Sequence, residues 1–229
     1  MGSNERAPGV RRTLLGREGA VHHVLLGLTL LLIAVQPLGT VAAAIYARLV
    51  FGLVLVGSVL AVYHRRRLFW VGVVLGLPAT VLVIADPGGD PGTVGLAFGI
   101  ATLSFVCVSL LIRIFERPTV SAASVSSSLT VYMLMGILWS LAYTLTERLL
   151  PGSFYGLGDG GSAETSRSLF YYSFVTLVTV GYGDIGPVSP AARALAVAEA
   201  VVGQLYLVVL VASLVGMFLG QATGSREEG

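Results

Sequence analysis

Residues 179–184 read Thr179-Val180-Gly181-Tyr182-Gly183-Asp184, and these six positions decide how the rest of the chain is read. Glycine recurs at the alternate positions 181 and 183. A backbone that turns successive carbonyls to one side needs alternating left-handed conformations, which L-residues resist and glycine accepts. Carbonyls arranged this way around an axis can replace the hydration shell of a small cation. Just before the stretch, residues 168–178 form an apolar run too short to cross a membrane. That run fits a re-entrant half-helix, tolerated at membrane depth only when buried in protein. Ser166 or Ser168 is placed to cap its N-terminus. Its other end falls just before Thr179, so its negative dipole end favours a cation there.

The surroundings are those of a membrane protein. Only 11% of the 229 residues are charged and 55% are hydrophobic, whereas a soluble domain has about a quarter charged. Apolar blocks cover 21–36, 41–63, 68–85, 93–115, 125–149 and 191–219. They predict an all-α membrane protein with six transmembrane helices, the half-helix and loop lying between the fifth and sixth. The first block is short, because a span needs about 20 residues. Arg11-Arg12 before it and Val41-Ala42-Ala43-Ala44 after it imitate a secretory or twin-arginine signal; a true first span is the preferred reading.

Orientation follows from the arginines, which account for all 14 basic residues. Arg6, Arg11, Arg12 and Arg17 precede the first block, Arg65, Arg66 and Arg67 separate the second from the third, and Arg113 and Arg117 close the fourth. The turns around Pro37 and Asp86 carry none. The positive-inside rule therefore puts both termini in the cytoplasm and the loop at 179–184 on the outer side. Arginines at block boundaries, rather than along one face, argue against a nucleic-acid partner.

With this topology, the TVGYGD stretch resembles the selectivity filter of the potassium-channel family. The nearest group is the bacterial six-span channels whose pore lies at the C-terminal end. The resemblance is specific over 168–220 and only architectural over the first four spans. It implies a homotetrameric pore, since one chain supplies one loop. It also implies K+ as the permeant ligand, with no cofactor. The carbonyls of Thr179, Val180, Gly181 and Tyr182 would line the axis, with Gly183 completing the ion-binding loop and the Thr179 hydroxyl adding an inner ring. The Tyr182 side chain should point away from the axis into Tyr171, Tyr172 and Phe174, and Asp184 should accept a hydrogen bond from Tyr171 or Tyr172. The family's inner-helix hinge falls at Gly203, for which plain helix packing is an equal reading. Gln204, Leu207, Val208, Val211, Ala212 and Val215 then follow along the cavity or inner gate. The layout is a cytoplasmic tail at 1–20, a four-helix peripheral domain at 21–118, a pore domain at 119–220 and a short tail at 221–229.

Departures from the family bear on gating. The fourth block holds only Arg113, near its cytoplasmic end. A charge moved through the field contributes about 2.3 kcal/mol per 100 mV, so steep voltage gating is not expected and the peripheral helices read as structural or regulatory. With few residues after Leu219, a cyclic-nucleotide or calcium domain is not expected. Val175 stands where some bacterial channels have a glutamate, which leaves the tyrosines to brace the filter. Among intramembrane charges, Arg48 reads as snorkelling to the outer interface. Glu199 reads as a brace behind the filter that makes gating pH-sensitive. His22, His23 and His64 read as solvated interfacial residues, Trp70 and Trp139 as packing or interfacial groups, and Cys107 as a small buried hydrophobe.

The leading function is therefore passive potassium-selective conduction across the cell membrane by a multi-pass protein. The alternatives are a weakly selective monovalent cation channel and a non-channel membrane subunit of a potassium uptake system. An enzyme is not expected: no catalytic triad, HExxH, Walker loop or carboxylate pair is present. Membrane lipids are the other expected partners, together with any regulatory subunit, which the sequence does not identify.

Overall fold

The apolar blocks become helices wherever the structure describes them. A computed structural model describes residues 23–35, 49, 51–57, 66–85, 92–116 and 122–227. Its helices are α1 (His23–Val35), α2 (51–57), α3 (Arg66–Ala85), α4 (Gly92–Glu116), α5 (Ala122–Leu149), α6 (Gly161–Leu177) and α7 (Pro190–Glu227). Two short strands, β1 (Phe154–Tyr155) and β2 (Gly186–Pro187), pair antiparallel, Phe154 opposite Pro187 and Tyr155 opposite Gly186. Among the described residues, three helical stretches are long and apolar enough to cross a membrane: Gly92–Ile112, Val125–Leu149 and Pro190–Ser213. Helix α1 and the Phe69–Leu82 stretch of α3 are shorter apolar helices. The tail at 1–20, His22, the 41–44 run, Arg48, His64, Arg65, the turn at 86–91 and Arg117 lie outside the described residues.

Two expected boundaries move. The half-helix begins at Gly161, not near Ser168, so Ser166 lies inside it and donates to the Ser162 carbonyl. No side chain caps it; Gly160 is the N-cap. The extension has a steric basis. Glu164, in the first turn, folds its carboxylate back over the preceding glycines. A β-carbon on Gly158 or Gly160 would fall 2.2 or 1.4 Å from its oxygens. An acidic group over a helix N-terminus is favourable. At the other end of the chain, the expected tail after 220 is helical, because α7 runs on to Glu227.

Helix α5 organises the rest, packing against α4, α6 and α7. Leu103, Val106 and Leu110 of α4 meet Val131, Leu134 and Ile137 of α5, and α1 and α2 add Leu25, Leu32, Val54 and Leu55. Cys107 is buried in this cluster. Helix association in lipid depends on close packing rather than on water exclusion, and α5 carries the small residues this requires. Gly136 faces the Phe174 ring so closely that a β-carbon would lie 2.6 Å from it. The hydroxyls of Thr130, Ser140, Thr144 and Thr146 donate to carbonyls one turn back, which lets α5 bury polar residues. His23 is exposed but not free of contacts, since its Nδ1 lies 2.7 Å from Ser126 Oγ on α5. Trp139 packs against both core clusters, whereas Trp70 is exposed.

Candidate functional site

The site begins where α6 stops. Past Leu177, the Val178 amide donates to the Phe174 carbonyl and the Thr179 amide to the Thr176 carbonyl. The amides of Val180 and Gly181 both donate to the Val175 carbonyl, at 3.0 and 3.3 Å, folding the loop under the helix end. Beyond this, φ is positive at every second residue: +60° at Thr179, +55° at Gly181 and +77° at Gly183. Glycine suits two of these positions; Thr179, β-branched in the left-handed region, does not. Its placement costs about 1–3 kcal/mol, which points to a functional demand on the backbone. Among the described residues, none donates a hydrogen bond to the carbonyls of Val180, Gly181 or Tyr182. The loop is open on one side along its whole length, with Val180 50% and Tyr182 71% exposed.

The far end of the loop is tied to a different part of the chain. β2 begins two residues after Asp184 and pairs with β1. The Tyr155 hydroxyl donates to the Gly183 carbonyl at 3.3 Å. Gly156, at φ +78°, is close enough to the Asp184 carbonyl oxygen that a β-carbon would lie 2.0 Å from it. Glu147, near the end of α5, accepts from the amides of Gly152 (2.7 Å) and Phe154 (3.1 Å) and so fixes the turn that delivers β1.

The aromatic residues of α6 divide their work. Tyr171 faces Asp184. Tyr172 turns the opposite way, into an edge-to-face cluster with Tyr143 at 5.1 Å and Phe154 at 5.6 Å between ring centroids. Phe174 packs on Phe170, at 4.9 Å, and on Gly136. The expected nest of Tyr171, Tyr172 and Phe174 around Tyr182 is therefore not formed within one chain.

Behind the loop, α5, α6 and α7 converge. The Tyr132 hydroxyl of α5 donates to the Leu177 carbonyl at the exposed-carbonyl end of α6, at 3.0 Å. Tyr132 stacks on Tyr206 of α7, whose hydroxyl donates to the Ser128 carbonyl of α5 at 2.6 Å. Gly203 abuts Leu177, and α7 passes it without a break. Glu199 is fully buried, accepting from the Tyr143 hydroxyl at one oxygen and lying 2.6 Å from Ser173 Oγ at the other. Gln204, Val208, Val211, Ala212 and Val215 are all exposed, whereas Leu207 is half-buried on the flank. Val201, absent from the expected cavity set, is exposed beside Gln204 and Val208. Tyr132, Tyr143, Tyr155, Gly156 and Ser173 are the supports that sequence reasoning missed. Gly156 alone carried a signal, as one of the glycines that crowd the stretch between the fifth apolar block and the half-helix.

Residues 152–219, which include β1, α6, the loop, β2 and most of α7, match the family model described as Ion channel. Over 91 residues the chain is 31% identical to Two pore potassium channel c of Oryza sativa subsp. japonica, across 40% of this chain and 18% of that protein. No solved structure matches the chain. Residues 152–219 thus resemble an ion-channel domain and sit among apolar helices suited to a membrane, and the chain spans about a fifth of the length of the relative it matches.

Proposed function

We propose that four copies of this chain form a potassium-selective pore in the cell membrane, each contributing one loop of Thr179, Val180, Gly181, Tyr182 and Gly183. The observation that carries this reading is the alternation of positive φ at 179, 181 and 183, with the carbonyls of Val180, Gly181 and Tyr182 receiving no hydrogen bond among the described residues. Carbonyls without donors are ligands for a cation that has shed its water. Both the exposed flank of the loop and the exposed Tyr182 ring require neighbours, and a fourfold axis supplies them. The exposed face of α7 around Gln204, Val208, Val211 and Val215 would line the inner cavity, and the negative end of α6 would favour a cation there. Gly203 serves as hinge as well as contact in this reading. Six spans, cytoplasmic termini and conduction without steep voltage dependence complete it.

Purified protein in planar bilayers, with potassium on one side and sodium on the other, tests the reading. A reversal potential near the potassium equilibrium value is expected. A reversal potential near zero would favour the weakly selective cation channel, and absence of flux from the protein alone would favour the uptake-system subunit. Gly181→Asp should abolish flux; a conducting Gly181→Asp protein would overturn the filter assignment.

A further inference from the structure

Glu199 stands where α5, α6 and α7 meet, and the hydrogens available to its partners can be counted. The Tyr143 hydroxyl donates to Oε2. Ser173 Oγ lies 2.6 Å from Oε1 and 2.8 Å from the Gly136 carbonyl oxygen. A serine hydroxyl carries one hydrogen, and a carbonyl can only accept. Were Glu199 a carboxylate, Ser173 would face two acceptors with a single hydrogen to give. Tyr143 cannot supply another, since its own hydrogen is already committed to Oε2.

A hydrogen on Oε1 resolves the conflict. Oε1–H then donates to Ser173 Oγ, Ser173 O–H donates to the Gly136 carbonyl, and Tyr143 O–H donates to Oε2. Each short contact has its own hydrogen, and none is shared. The charge setting agrees. The titratable groups around Glu199 are the phenols of Tyr132 and Tyr143 from α5 and Tyr172 from α6. Among the described residues, no arginine or histidine acts on it. An unpaired carboxylate at membrane depth is costly, so buried acids there are either paired or neutral.

We propose that Glu199 is carried as the uncharged acid and is a positioning residue, using one donor and one acceptor to fix α6 against α5. The lock falls at a point the packing already singles out. Gly136 receives the Ser173 hydroxyl on its carbonyl and the Phe174 ring on its open face, so the register of α6 along α5 is set twice within one turn. The conduction part of this proposal rests on the pore reading above; the protonation part does not.

The test is an infrared difference spectrum between the full-length wild-type protein and Glu199→Gln, both reconstituted in lipid at neutral pH. The expected result is a protonated-carboxyl C=O band in the wild type that is lost in the variant. A difference spectrum showing only carboxylate bands would overturn the proposal, and neither outcome depends on whether the protein conducts. Glutamine keeps one donor and one acceptor in nearly the same places, whereas leucine keeps neither. Potassium flux and selectivity should therefore survive Glu199→Gln and be lost in Glu199→Leu. A Gln variant as defective as the Leu variant, with assembly intact, would also overturn it.

Discussion

Gly203 and Leu177 are in direct contact: a β-carbon on Gly203 would lie 2.7 Å from Leu177 Cδ1 and 3.4 Å from its carbonyl oxygen. The inner helix can pass the end of the half-helix because position 203 has no side chain. The same Leu177 carbonyl takes the Tyr132 hydroxyl, so two helices grip one residue at the entrance to the loop.

This contact separates packing from hinging. Gly203→Val should destabilise the protein by about 1–3 kcal/mol through overpacking, lowering the melting temperature in detergent. Gly203→Ala should fall between, because Leu177 Cδ1 is the end of a flexible side chain. If both variants melt like the wild type and differ only in open time, the hinge is the sole role.

Tyr132→Phe and Tyr206→Phe each remove one hydroxyl and keep the stacked rings. Tyr132→Phe should cost about 1–3 kcal/mol, as the Leu177 carbonyl at the end of α6 loses its donor. Tyr206→Phe should cost less, because the Ser128 carbonyl lies inside α5, where the helix ladder also serves it. Only Tyr132→Phe should reduce the potassium-to-sodium permeability ratio, because its carbonyl belongs to the residue that opens into the loop. Equal ratios in the two variants would contradict this division.

Gly152 and Gly156 form a matched pair. Both have φ near +80°, but a β-carbon at 152 would meet nothing within 4 Å, whereas one at 156 would strike the Asp184 carbonyl. Gly152→Ala should therefore show backbone strain alone, roughly 1–2 kcal/mol. Gly156→Ala should add a steric displacement of Asp184 and impair conduction. Single-channel recording of the two variants checks the contrast.

Glu147→Ala should release the turn that presents β1, since the amides of Gly152 and Phe154 lose their charged acceptor. A loss of about 1.5–3 kcal/mol is expected for each such bond. Hydrogen exchange should speed up at those two amides, while the α6 amides stay protected.

The chain's residues explain what the sequence disclosed. Gly181 and Gly183 announced their backbone freedom by having no side chain, so the loop was legible. Nothing in a threonine signals a left-handed conformation, so the third such position, Thr179, was not. Gly160-Gly161 read as loop because glycine disfavours helix, and only the folded carboxylate of Glu164 shows why the helix starts there. Tyr171 and Tyr172 are neighbours about 100° apart around a helix, and which one meets Asp184 depends on helix phase. Glu199 was conspicuous as a charge in an apolar block, but Tyr143 and Ser173 are 56 and 26 residues away, and only tertiary packing brings them to it.

Residues 179–183 are held at one end by the Val175 carbonyl and at the other by Tyr155 and the paired strands. Both anchors come from the same chain, so the loop has its shape before any neighbour arrives. In the proposed tetramer each subunit would therefore bring a preformed quarter of a ring, with little ordering entropy left to lose, so that association would be docking rather than folding.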